Sequence, residues 1–382
     1  MAEARSVGSS RRVAFVADRS RALIRLRGSI ARELKARGAE VLLVAPEFTP
    51  DEAATLAAAG IDRATFDIAP KGLKGIGPVA DWTLTREIGA VLAGWRPEVV
   101  VCYGARTMIH AALAARRAGA REIVVAVTGL SQKAAEASAE GRLLSARRYA
   151  KAFKAATAAI AHNRDDARAL ARSGLLRAGL DVTVVAGSGV DLGQFEVQPL
   201  PPIAAGLVFL MVAPLDRTRG VIDYCEAARR VKERAPEATF LLAGPAGEGP
   251  GGFDPADLRA YEDAIEFLGP LADIRPALGR AHVFVYPSHG EGMPRVVLEA
   301  MAAGRPILTT DAPGCRETVD DRVNGCLVPV ADVGKLAEAM TSFLKRPDLL
   351  PSMARASRHK AERRFDERDV NRTLLAVLGF AS

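Results

Sequence analysis

Two carboxylates, Glu291 and Glu299, separated by seven residues, make the sharpest chemical pattern in the chain. Glu291 lies in the turn-rich run Ser288-His289-Gly290-Glu291-Gly292, and Glu299 lies in the apolar-periodic stretch after Pro294. Pro294 suits the first position of a helix, where its missing N–H would be unpaired anyway. Backbone N–H groups at such a start suit a phosphate, and here the donors are Gly292, Met293, Arg295 and Val296. By itself Gly-Glu-Gly is equally a plain turn, and a helical Glu is equally a solvated face.

These residues need rigid elements behind them. Residues 282–286 form a short β-rich apolar run and 306–309 another, with a helix between them closed by Gly304. Val296, Val297, Ala300 and Met301 share one face of that helix. Glu299 lies about 60° off the leading edge of that stripe, which points it toward a cleft. Elsewhere strands are expected at 13–17, 41–45, 99–103, 123–127, 158–161, 182–186, 207–212, 240–243 and 265–268, alternating with helices. Alternation of this kind implies parallel sheets covered on both faces. Pro199, Pro201 and Pro202 interrupt it, so a linker is expected near 193–205. The fold class is therefore α/β, with two Rossmann-like doubly wound domains, 1–195 and 205–365, facing each other across a cleft.

The totals narrow the function. The chain has 382 residues, 49% hydrophobic and 25% charged, which are globular values. No apolar run is long enough to span a bilayer, and the N-terminus lacks the apolar core of a signal peptide, so the expected location is cytoplasmic. Cys102, Cys225, Cys315 and Cys326 have no metal-ligand spacing and read as reduced structural thiols. Residues 1–200 carry 29 basic and 20 acidic side chains, against 23 and 25 in residues 201–382. The basic half points to an anionic partner, and a helix over 19–37 with arginines from Arg19 onward suits an anionic membrane. Only 5% of residues are aromatic, with no basic patch interleaved with rings, which argues against nucleic acid. There is no Asp-x-Asp to hold a divalent metal and no P-loop.

The stretch Glu291-x7-Glu299, continuing through Glu-Ala-Met-Ala-Ala-Gly-Arg-Pro-Ile, Pro-Gly-Cys-Arg-Glu-Thr-Val and Asn324-Gly325 to Val328-Pro329, resembles the E-x7-E region of the family 4 retaining glycosyltransferases. The resemblance implies the GT-B fold and transfer of a sugar from a nucleotide diphosphate, UDP foremost, with retention and without a metal or other cofactor. It implies that Glu291 holds donor hydroxyls and Glu299 the ribose, that Gly244-Pro245 and Leu268-Gly269 line the donor site, and that Gly189-Val190-Asp191 is structural. It also implies that the last segment, 366–382, packs back on the first domain.

Two positions depart from the family. Pro214 stands where an arginine usually meets the donor pyrophosphate; Arg219 keeps the second cation, and Arg217 is the expected substitute. Thr128-Gly129 occupies the place of a first-domain histidine, as in subgroups that act on lipid-linked acceptors in surface-polysaccharide assembly. Thr128, Gly129, Arg106 and Arg19 are the expected acceptor-side residues, with a lipid-linked glycan as acceptor. The alternatives are a UDP-sugar epimerase of the same fold and a non-catalytic nucleotide- or glycan-binding partner protein.

Overall fold

The computed structural model describes residues 11–67, 77–127, 139–249 and 251–380. They form two compact units: residues Met1–Val185 with Asn371–Ser382, and residues Ala186–Val370. Each unit is built on one parallel sheet with its own hydrophobic core.

In the first unit, β1 (Arg12–Val16), β2 (Glu40–Ala45), β3 (Asp62–Thr65), β4 (Val99–Cys102), β5 (Glu122–Val127), β6 (Ala158–Ala161) and β7 (Val182–Val184) take the order 3-2-1-4-5-6-7. Central strands such as Val-Val-Val-Cys are buried throughout because helices cover both faces. Those helices include α1 (Ser20–Ala36), α2 (Pro50–Ala58), α3 (Pro78–Trp95), α4 (Thr107–Arg117), α5 (Ala139–Ala155) and α6 (Arg164–Arg172). The sequence reading did not anticipate β3. Its residues, Asp-Arg-Ala-Thr, carry no apolar run because, among the described residues, the strand pairs with β2 alone and forms the sheet edge.

The second unit places β8 (Val208–Val212), β9 (Thr239–Ala243), β10 (Glu266–Phe267), β11 (Val283–Tyr286), β12 (Ile307–Thr310) and β13 (Gly325–Val328) in the order 10-9-8-11-12-13. Its helices are α7 (Val221–Lys232), α8 (Arg275–Arg280), α9 (Arg295–Ala302), α10 (Val333–Lys345) and α11 (Leu350–Arg364). Phe209 and Phe240 stack at 5.1 Å between ring centres in its core, and Tyr224 meets Phe240 edge-on. Burial of each such ring contributes about 2–3 kcal/mol. The strand order reverses between β8 and β11, the switch point at which sheets of this kind bind ligands. A last helix, α12 (Glu367–Val377), contains the division between the units, and near its middle Asn371 Nδ2 donates to Ser29 Oγ of α1 at 2.8 Å.

The division falls at Val185/Ala186, not at the expected 193–205 linker. Prolines did mark a break in the periodicity, but this stretch is held to the second unit by long-range polar contacts. The buried Arg305 guanidinium donates to the carbonyls of Ala281, Gln198 and Pro199. Arg358 donates to those of Phe195 and Ala302. The His282 ring accepts from the Val208 N–H through Nδ1 at 3.0 Å, which leaves Nε2 to donate to Pro201 O at 3.1 Å. Gly189, at φ 68°, packs against the backbone of Glu367, and the Val190 N–H bonds Phe365 O at 2.8 Å.

His282 therefore works as a neutral ring, and burial lowers its pKa. Burial likewise lowers that of His110, and it drives His162 down to about 3 with help from the adjacent Arg27. A histidine with a depressed folded pKa gives stability that is full above its unfolded value near 6.5 and lost as pH falls below it. Between pH 7 and pH 5 the chain should lose about 2 kcal/mol from His162 alone. Urea melts at the two pH values check this, and equal midpoints would refute it.

Candidate active site

The second unit's site forms where the loops after β8 and β11 meet. After β8 the chain runs through the exposed Pro214 into a 3-10 turn, Arg217–Arg219, whose start is capped by the Asp216 carboxylate accepting from the Thr218 N–H at 2.7 Å. Gly220 at φ 74° then turns it into α7, in the left-handed region where a side chain is costly. A Cβ there would fall onto the Pro287 carbonyl oxygen, so the two loops touch backbone to backbone. The His289 N–H donates to Thr218 O at 2.9 Å, and Thr309 Oγ1 holds Tyr286 O at 2.6 Å.

This seam places Arg219 against Glu291: the guanidinium Nη1 pairs with carboxylate Oε1. Tyr286, buried at the end of β11, donates its hydroxyl to the same oxygen at 2.7 Å. Burial pushes the phenol up to about 12, so it is a fixed neutral donor. Below the loop, Pro313 O accepts from the Glu291 N–H at 3.0 Å, and Gly314 at φ 75° packs on the carbonyls of Glu291 and Gly292. The Pro-Gly-Cys run thus forms the floor under the carboxylate loop. Cys315 in that floor is buried, and burial pushes its thiol up to about 11.

Glu299 is 2% exposed and accepts from Arg295 Nε at 2.9 Å, one helical turn back. Two of the expected donor residues thus meet, the buried Glu299 and the half-buried Arg295. Pro294 is extended (ψ 99°) and caps the helix, so α9 begins at Arg295, one residue later than expected. Arg295 and Val296 occupy its first turn, where the N–H groups have no acceptor within the helix. Met293 packs on Gly187. Gly244 follows β9; a Cβ there would fall onto the Ala213 carbonyl oxygen, and its N–H bonds Gly269 O at 2.9 Å. The Leu268 N–H bonds Leu242 O at 2.8 Å, and the Leu215 N–H bonds Pro245 O at 2.9 Å. Gly244, Pro245, Leu268 and Gly269 therefore line the ends of β9 and β10, beside the Arg219 loop.

Arg217 does not join Glu291. It is exposed, with its guanidinium carbon 5.8 Å from the centre of the Phe253 ring, while its N–H bonds Gly251 O at 2.9 Å. Of the two arginines, only Arg219 is placed on the carboxylate. Two participants went unrecognised in the sequence: Tyr286, which looks like ordinary strand core, and Asp223, which meets His289 Nε2 at 2.8 Å.

In the first unit, Thr128 and Gly129 lie outside the described residues. Arg19 is the exposed N-cap of α1. Arg106 sits at the start of α4 and pairs with Asp81 at 3.0 Å, where Arg148 (3.5 Å) and His110 (3.4 Å) also converge. A second polar cluster was not foreseen. Arg27, 2% exposed in α1, lies 4.8 Å above the Tyr103 ring centre and bonds His162 Nε2 at 2.8 Å.

A parallel sheet whose switch point joins an arginine, a carboxylate and a helix start is where open α/β sheets bind ligands, anions among them. The profile described as "Glycosyl transferases group 1" matches residues 206–346, and that described as "Glycosyl transferase 4-like domain" matches residues 24–186. The chain belongs to this two-domain glycosyltransferase family. It is 31% identical over 212 residues to WcaL of Escherichia coli, a glycosyltransferase assigned provisionally to colanic acid biosynthesis, covering 51% of this chain and 50% of that protein. It is 31% identical over 149 residues to the N,N'-diacetylbacillosaminyl-diphospho-undecaprenol alpha-1,3-N-acetylgalactosaminyltransferase of Campylobacter jejuni, covering 39% and 38%. The aligned region thus spans half or less of these curated relatives. The crystal structure of Anabaena HepE with UDP and glucose matches with a TM-score of 0.77 at 18% identity, covering 97% of this chain and 99% of that one. That likeness establishes the GT-B fold.

Proposed function

We propose that the chain moves a sugar from a nucleotide diphosphate, UDP foremost, to a hydroxyl of a lipid-linked glycan in surface-polysaccharide assembly, with retention at the anomeric carbon. The observation that carries this reading is the meeting of Arg219 and Glu291 at the switch point between β8 and β11. As the glycosidic bond breaks, negative charge grows on the leaving diphosphate. Arg219 and the amides at the start of α9 stabilise it, each well-placed donor contributing about 3 kcal/mol. Glu291 then accepts sugar hydroxyls and Glu299 the ribose hydroxyls, with Arg295 fixing Glu299. Side chains and amides carry the charge compensation, so transfer proceeds without a divalent metal.

The donor assignment is supported by the UDP and glucose bound to HepE, and the acceptor by the diphospho-undecaprenol named for the Campylobacter enzyme. Among the described residues no helix is long and apolar enough to cross a membrane. Membrane contact in this reading is peripheral and made by the first unit. There Val79 and Trp82 are 60% and 58% exposed on one face of α3, and Arg86 lies over the Trp82 ring. An exposed indole with an arginine over its ring suits an anionic lipid interface.

A panel of UDP- and GDP-sugars, assayed for released nucleotide with and without a membrane lipid extract, tests the proposal. Release that requires the extract and survives EDTA is the expected result. Conversion of a UDP-sugar without acceptor would instead mark an epimerase, and no turnover would mark a binding protein. In the same assay Tyr286→Phe should lower turnover about tenfold with an unchanged thermal midpoint, since one hydrogen bond to the Glu291 carboxylate is lost. Full activity in that variant would remove Tyr286 from the site.

A further inference from the structure

Besides Arg219 and Glu291, the loop after β11 is joined to the β8 side of the seam by a second polar side-chain contact. Asp223 stands in the first turn of α7, directly after the Gly220 turn. Its Oδ2 lies 2.8 Å from His289 Nε2, and the two side chains are 20% and 30% exposed. His289 is two residues before Glu291 in the chain, and its own N–H is bonded to Thr218 O at 2.9 Å. The residue is thus held twice by the opposite loop, once through its backbone and once through its ring.

The geometry points to His289 and Asp223 as a positioning pair: they fix the carboxylate loop to the start of α7 and so keep Glu291 in register with Arg219. The inference rests on the transferase reading of that site. Two features favour the role. A carboxylate in the first turn of a helix is stabilised where it stands by the unpaired N–H ends, so Asp223 is an anchored acceptor. With Nε2 on that carboxylate, the ring carries its proton there in both the neutral and the charged form, so the link persists across neutral pH. Neither residue belongs to the core, and the seam's backbone contacts, Gly220 on Pro287 and His289 on Thr218, are independent of the ring. Removing the ring therefore loosens the loop without unfolding the unit. A loop freed by about 1 Å costs turnover far more than binding, because Glu291 acts on the reacting sugar while Arg219 holds the diphosphate.

The test compares His289→Ala, Asp223→Ala, the double variant and His289→Gln in the full chain. Each alanine variant should lower kcat about tenfold or more, with the UDP dissociation constant within threefold, and His289→Ala should leave the thermal midpoint unchanged. The double variant should be no worse than either single one, and glutamine, which also donates to Asp223, should restore most of the loss. Hydrogen exchange supplies a readout that needs no turnover: amides of 288–292 should exchange faster in His289→Ala, with the rest of the sheet unchanged. If the wild-type chain transfers no sugar, the functional reading fails and exchange still decides the pair. Unchanged exchange at 288–292, additive losses, or a loss matched by a fall in midpoint and not rescued by glutamine would overturn it.

Discussion

Arg219→Ala should cut sugar transfer by about a hundredfold to a thousandfold, and Glu291→Gln by a comparable factor, yet the two should move UDP affinity in opposite directions. Arg219 and Glu291 neutralise each other across the seam. A donor diphosphate competes with the carboxylate for the guanidinium, and the carboxylate it displaces becomes available to the sugar hydroxyls. Without Arg219, the phosphate loses its charged donor and the nearby Glu291 repels it, so UDP binding weakens. With glutamine at 291, the guanidinium is no longer held by a charge and the repulsion is gone, so UDP binding tightens severalfold while turnover collapses. Titrations of UDP into the two variants beside transfer assays measure both quantities. Weakened UDP binding in Glu291→Gln would contradict the exchange of partners.

Gly220→Ala should destabilise the second unit by about 3 kcal/mol or more. Two costs add there. The backbone is held at φ 74°, and the new methyl group would lie on the Pro287 carbonyl oxygen, which neighbouring strands β8 and β11 prevent from withdrawing. Gly249→Ala is the control: its φ is 77°, but among the described residues nothing lies within 4 Å of a Cβ there, so only the conformational cost of about 1 kcal/mol applies. Urea melts of the two variants separate the terms. Equal destabilisation would mean that the loops part freely at Gly220 and that the seam is not rigid.

How much of this was legible in the sequence depended on where each signal resides. The central strands were clear because a strand buried on both faces must be a continuous apolar run. β3 was not, because an edge strand with polar residues carries no such signal. The prolines near 199–202 looked like a linker, and only the long-range bonds of Arg305, His282 and Arg358 reveal which unit that stretch joins. At the site, Glu291, Glu299 and Arg219 were visible because their residue types and spacing match the family pattern. Arg217 is suggested by its nearness to Arg219 in sequence; the 3-10 turn sets the two in different directions, with Arg219 on Glu291 and the exposed Arg217 guanidinium 5.8 Å from the Phe253 ring centre. Tyr286 and the His289–Asp223 contact were invisible for the opposite reason: their roles come from residues brought together across the switch point, which spacing along one strand or helix does not encode.

The claim at the centre of this account is that Arg219 meets a nucleotide's diphosphate. Comparing the affinities of UDP and uridine, in the wild-type chain and in Arg219→Ala, isolates that contact, because the base and ribose are common to both ligands. The wild-type chain should prefer UDP by about a hundredfold, and the variant should bind the two within a few fold of each other while its uridine affinity is unchanged. A preference for UDP that survives the loss of Arg219, or no preference in the wild-type chain, would contradict it.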